Sequence, residues 1–127
     1  MPRAARLFIV LGCIAALLAV ALGAFGAHGL KTRIAPEWMS VYKTGVEYHF
    51  YHALGLILVG LTAWRLPESG CLRAAGWAML AGLLLFSGSL YLLSVTGLSW
   101  LGAVTPFGGL AFLAAWGLFA TAIARSR

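Results

Sequence analysis

The feature that most restricts this chain is the stretch from Leu7 to Ala27, LFIVLGCIAALLAVALGAFGA, which passes without a charged side chain. At about 1.5 Å per residue, a helix of that length crosses the ~30 Å hydrocarbon core of a bilayer. It outruns the ~7–15 apolar residues of a signal-peptide core, so it reads as a retained span. VLGC, Val10 to Cys13, resembles a lipoprotein cleavage box only superficially, because the chain stays apolar long after it. The whole sequence follows suit. Of its 127 residues 62% are hydrophobic and 9% charged, against ~45–50% and ~25% in a soluble domain. A surface so poor in charge requires lipid as its solvent.

Three more apolar stretches follow, at about Gly45 to Trp64, Ala74 to Val95 and Ala103 to Ala124. The strictly apolar part of the second, Ala53 to Trp64, is too short to cross alone. That helix must therefore carry His49 and His52 into the membrane, with Glu47 near its mouth. The expected fold is all-α: a four-helix transmembrane bundle forming one integral membrane domain from Met1 to Arg127.

The connections differ. Pro36 suits the first turn of a helix, and Trp38, Val41, Tyr42 and Gly45 follow at helical spacing. Pro36 to Thr44 thus reads as a short amphipathic interfacial segment leading into span two. RLPESGCLR, between spans two and three, holds turn residues. TGLSWLGAVTPFGG, between spans three and four, carries no charge and reads as an interfacial or re-entrant connection. In it Thr105 suits a cap and Pro106 a first helical turn.

Orientation follows from the basic residues. One side collects Arg3, Arg6, Arg65, Arg73, Arg125 and Arg127, the other Lys31, Arg33 and Lys43. The excess places both termini in the cytoplasm, in a multi-pass protein of the inner (plasma) membrane. The net charge of +6 is read the same way: the basic residues fix topology and touch anionic lipid head groups, and nucleic acid is not an expected partner.

Small residues mark helix contacts. Ala15, Ala19, Gly23 and Ala27 recur every fourth position in span one, a stripe that lets a neighbouring helix approach closely. Ala111 and Ala115 do the same in span four, and Gly88 and Gly109 read as further packing points. Such stripes serve contacts within the chain or between copies, so a homo-oligomer or a larger membrane complex is expected.

Much chemistry is excluded. The chain has no Asp, Asn or Gln, and its acids are Glu37, Glu47 and Glu68. There is no Asp to orient a catalytic His and no paired-carboxylate site, so an enzyme is not the favoured reading. Cys13 and Cys71 lie too far apart in the pattern to pair. GAFGAHG lacks the dinucleotide-binding spacing and follows no strand.

What remains is a layer of polar residues in the outer half of the spans. Counting from Gly45, His49 lies roughly 6 Å in and His52 roughly 10 Å in. Ser87, Ser89 and Tyr91 of span three, His28 at the end of span one, and Thr105 at the start of span four fall nearby, with Tyr48 one turn from His52. Intramembrane ionisable groups face the bundle interior or water. His49 and His52, three apart, share a helix face. His49, nearer the surface, is expected to be solvated and His52 to sit deeper. Hydrogen bonding among His, Tyr and Ser satisfies such a cluster. The histidines also admit a metal, haem or proton-relay reading. Their spacing of three departs from the usual four of a helical metal pair, so no cofactor and no metal are assigned.

GAFGAHGL, YHFYHALGL, FSGSLYLLSVTG and TPFGG followed by Trp116, in this order over most of the chain, resemble the small membrane proteins grouped as domain of unknown function 423, the YgdD- and YwdK-like proteins. The resemblance implies four spans and no established biochemical activity. It also implies that His28, Tyr48, His52, Ser89, Tyr91 and Pro106 belong to a recurring pattern. The leading expectation is a non-enzymatic structural or accessory membrane component that self-associates or joins a larger complex. The alternatives are a ligand-binding or transport module around His28, His52 and Tyr91, and a metal- or haem-binding redox subunit.

Overall fold

In a computed structural model, residues 1–67 and 69–126 are described, and among them there is no strand. Helix α1 spans Arg3–Phe25 and continues as a π-helical turn, Gly26–Leu30. Helix α2 spans Pro36–Arg65. Helix α3, Gly70–Gly82, continues through a second π-helical turn, Leu83–Ser87, into α4, Gly88–Thr96, and α5 spans Leu101–Ala124. Among the described residues the result is four helical rods.

Local chemistry sets their ends. Pro36 opens α2 from its first turn, where its missing N–H costs nothing. Ser69 caps α3 by accepting from the Leu72 N–H at 3.3 Å. Gly97, with φ of 69°, closes α4 in the left-handed conformation, its N–H bonded to the Leu93 carbonyl. The segment Pro36–Thr44 leads into span two without a break, as one continuous 30-residue helix. One expectation changes here. The expected connection before span four is mostly helical, because α5 begins at Leu101 and holds Thr105 and Pro106 inside it.

Three rods, Arg3–Leu30, Gly70–Thr96 and Leu101–Ala124, are long and apolar enough to cross a membrane. Helix α2 is equally long but carries Lys43, Glu47, His49 and His52. Its outward face is nonetheless apolar, with Leu54, Leu58 and Leu61 exposed. The large apolar side chains elsewhere also point away from the bundle, Leu17 at 67%, Leu84 at 75% and Leu113 at 72% exposed. Lipid tolerates that pattern and water does not.

Close backbone approach fixes the register. A Cβ on Gly60 would come within 2.8 Å of the Ile9 nitrogen, one on Gly12 within 2.9 Å of the Ala53 carbonyl oxygen, and one on Gly23 within 3.3 Å of Val46. Gly12 also faces Ile57. From Ile9–Gly60 to Gly12–Ile57 to Gly23–Val46, each step forward along α1 is a step back along α2. The two helices are therefore antiparallel with constant register. His52 is then level with Leu17, midway between Leu7 and Ala27, and His49 is level with Val20. Both lie deeper than the count from Gly45 gave, His52 by about 5 Å at 1.5 Å per residue.

The other pair behaves likewise. Gly82 underlies Phe112, Gly108 underlies Phe86, and Ser89 meets Thr105, a fixed antiparallel register between the third rod and α5. Helix α1 packs chiefly on α2, whereas the third rod packs on both α2 and α5. Phe8, Leu56, Val59, Leu72 and Met79 fill the core at one end. Ala15, Ala53, Leu83 and Phe112 continue it.

The small stripe of α1 serves this packing. Ala15 and Ala19 are buried and Gly23 sits against Val46 of α2. Ala27 is exposed in the π turn and does not take part. Gly88 and Gly109, expected as close-packing points, have no neighbour nearer than 3.9 Å to a hypothetical Cβ. Close approach falls instead on Gly12, Gly60, Gly82 and Gly108.

Candidate functional site

The polar residues divide into two clusters that meet different neighbours of α2. His52 is 5% exposed. Its Nδ1 lies 2.7 Å from the Tyr48 carbonyl oxygen one turn earlier. A carbonyl only accepts, so Nδ1 carries the proton. Its Nε2 accepts from the Trp116 indole N–H at 3.1 Å. An indole only donates, so Nε2 presents a lone pair. The two partners thus define one neutral tautomer with both ring nitrogens engaged. The ring lies flat on Phe112, centroids 3.4 Å apart at 10°. Tyr48 stacks toward the same rings, 4.6 Å from Phe86 and 6.4 Å from Phe112. Its face is otherwise exposed.

His49 meets other neighbours. Its Nδ1 pairs with the Tyr91 hydroxyl at 2.8 Å, and the Ala15 carbonyl of α1 also lies against the ring. At 8% exposure it is buried, not solvated as its position near the start of the apolar run suggested. The approach of α1 and α4 covers it. Tyr91 in turn lies 5.2 Å from the Tyr42 ring, and the Tyr42 hydroxyl donates to the Leu22 carbonyl.

The hydroxyls knit the third rod to its neighbours. Ser87 donates to the Gly45 carbonyl of α2 at 2.8 Å. Ser89 lies 2.6 Å from the Thr105 hydroxyl of α5 and bonds the Phe86 carbonyl at 2.9 Å. Thr105 reaches the Leu101 carbonyl in its own helix, so it is a cross-link and not a cap. The π turn Leu83–Ser87 precedes these contacts directly. Its widened winding shifts Ser87 and Ser89 relative to an unbroken helix.

His28 does not join either cluster. It is exposed and bonds the Ala24 carbonyl one turn back at 2.9 Å. Gly26, nearby, packs on Tyr42, which places His28 about 15 Å along α2 from His52. The expected grouping of His28, His52 and Tyr91 is therefore not one site: the three face three directions. Their separation also leaves no place where His28 and His52 ligate one iron.

Chemically, the clusters are closed. Among the described residues no buried side-chain nitrogen or oxygen lacks a partner, and no three His, Cys, Asp or Glu converge. Phe112 and Trp116, which complete the His52 site, escape a search for polar groups. The available signal is a Trp in mid-helix, four residues after a Phe, since a buried indole N–H requires an acceptor.

Residues 22–109 match the model of a protein family of unknown function, DUF423. The chain is 58% identical over 111 residues to the UPF0382 membrane protein YwdK of Bacillus subtilis (strain 168), covering 87% of this chain and 90% of that one. It is 44% identical over 111 residues to the UPF0382 membrane protein SH2409 of Staphylococcus haemolyticus (strain JCSC1435), covering 87% and 89%. No solved structure matches. The family match contains Tyr48, His49, His52, Ser87, Ser89, Tyr91 and Thr105, and with these relatives it makes the chain a member of the family described as protein of unknown function (DUF423).

Proposed function

We propose that the protein is a non-enzymatic, four-span accessory component of the inner membrane, whose intramembrane polar groups hold its helices in register. The observation that carries this reading is His52: Tyr48 and Trp116 engage both nitrogens, so the deepest ionisable group serves as a strut. The closed hydroxyl contacts of Ser87, Ser89 and Thr105 support the same role. The constant register with α1 supports α2 as the fourth span, since residues level with Leu7 to Ala27 share their depth. The basic residues at the Arg3, Arg65 and Arg125 end support cytoplasmic termini.

Membrane lipids are the principal partners in this reading. Self-association or docking into a complex draws support from the exposed apolar flanks, Leu84 and Leu113 among them. The small stripe of α1 no longer supports it, because α2 covers that stripe.

A double-mutant cycle tests the reading. His52→Phe and Trp116→Phe are made singly and together, and unfolding is followed in micelles. A structural bond gives a coupling of about 0.6–2 kcal/mol. Additive effects would remove the strut role.

A further inference from the structure

Helix α1 packs chiefly on α2 and meets the third rod where Phe8 sits against Gly76 and Trp77; farther along, a crevice of about 330 Å³ opens between α1 and the third rod. Its walls are Leu11, Ile14 and Leu18 on one side and Leu80, Leu83 and Leu84 on the other. His49 and Tyr91 line its outer part, and Gly88 leaves the wall between them without a side chain. We propose that this crevice binds a single-chain membrane lipid with a free hydroxyl head, the chain lying between the leucine walls and the hydroxyl meeting the His49–Tyr91 pair.

Depth selects the chain. Leu11 to Leu18 run from the inner half of the span Leu7 to Ala27 to just past its centre, so the crevice opens to hydrocarbon and an apolar tail fills it. Its volume is at the lower end of the ~300–1,000 Å³ of small-molecule sites, which favours one chain. The gradient within it is consistent, with leucines toward the membrane centre and the polar pair toward the outer end.

Hydrogen-bond capacity selects the head. If His49 Nδ1 carries its proton, it donates to Tyr91 and frees the phenol O–H to donate. If Nδ1 is bare, Tyr91 donates to it and keeps oxygen lone pairs free to accept. A hydroxyl serves either case, because it both donates and accepts. A charged head is disfavoured, since His49 is level with Val20, about 10 Å inside Ala27.

The test uses the full chain in phosphatidylethanolamine–phosphatidylglycerol vesicles with hexadecanol bearing a mid-chain diazirine. After irradiation, adducts are mapped by peptide mass spectrometry, with unlabelled hexadecanol or hexadecane as competitor. Adducts are expected on the Leu11–Leu18 and Leu80–Leu84 segments, with hexadecanol the better competitor. Gly88→Phe, which fills the crevice, should cut the yield about tenfold or more, on the scale of a blocked pocket. Tyr91→Phe should reduce the preference for hexadecanol about fivefold, as for one lost hydrogen bond. Adducts spread evenly over the lipid faces of α1 and α5, or unchanged by Gly88→Phe in a protein that still folds, overturn the site. An alcohol preference that survives Tyr91→Phe overturns the head assignment. Cross-linking of a second copy through the same segments, with no lipid adduct, overturns the occupant.

Discussion

Trp116 of α5 donates its indole N–H to Nε2 of His52 on α2, across 3.1 Å, while Phe112, one turn earlier on α5, stacks on the same imidazole. Two side chains from one helix thus grip a ring from another, at the level of Leu17 in α1. In hydrocarbon the apolar surfaces gain little by meeting one another, so such contacts and close packing carry the association of helices.

Losing the Trp116 donor has a bounded cost. Trp116→Phe keeps most of the ring volume and leaves His52 Nε2 unpaired. It is expected to lower stability by about 1 kcal/mol. His52→Ala removes the stacked ring beside Phe112 as well, and about 2–4 kcal/mol is expected from the cavity. Thermal or denaturant unfolding in micelles checks the order.

Gly108 and Gly109 separate close packing from mere smallness. A Cβ on Gly108 would collide with the backbone of Phe86, whereas one on Gly109 finds nothing closer than 3.9 Å. Gly108→Ala is expected to cost about 1–3 kcal/mol or more by overpacking, and Gly109→Ala to be within about 0.5 kcal/mol of neutral. Parallel unfolding curves read the difference directly.

The register of α4 against α5 can be trapped. The hydroxyls of Ser89 and Thr105 are 2.6 Å apart, so paired cysteines there should oxidise readily to an intramolecular disulfide. A control pair one residue out of register, Ser89→Cys with Pro106→Cys, should form it far more slowly. Gel mobility under oxidising and reducing conditions reports both.

Sidedness tests the fourth span. Cysteines replacing Ser40 and Leu98 should react with a membrane-impermeant maleimide from the outer face. Those replacing Ser69 and Ser126 should react only from the cytoplasmic face, in a background lacking Cys13 and Cys71. Labelling of Ser40→Cys and Ser69→Cys from the same side would mean that α2 does not cross.

Much of the bundle was legible because apolar length is a strong signal. Leu7 to Ala27 and Ala103 to Ala124 lie within helices whose ends differ from them by a few residues. The α2 helix was harder: helical spacing from Trp38 to Gly45 points to its run from Pro36, but its polar residues hide its depth, which emerges only when α1 is laid beside it. The polar layer was half legible. Counting along the spans puts Ser89 and Thr105 in the same outer half, where they meet, but it sets Tyr91 level with His52, whereas Tyr91 bonds His49; depth does not give direction. His49 and His52 sit three apart on one helix yet engage different neighbours, Tyr91 of α4 and Trp116 of α5, and no local spacing shows which neighbour lies on which side. The π turns were invisible for a similar reason. Leu83–Ser87 reads as ordinary apolar helix until the Phe86 backbone is seen against Gly108. Gly88 and Gly109 misled because smallness marks a possible contact, and the actual contact depends on register.

The most direct measurement of the strut role is a ¹⁵N NMR experiment on histidine- and tryptophan-labelled protein in micelles or nanodiscs. His52 is expected to be protonated at Nδ1 and bare at Nε2, with a through-hydrogen-bond coupling from the Trp116 indole proton to Nε2 that Trp116→Phe abolishes. A proton on Nε2 of His52, or a His52 spectrum indifferent to Trp116→Phe, would contradict it.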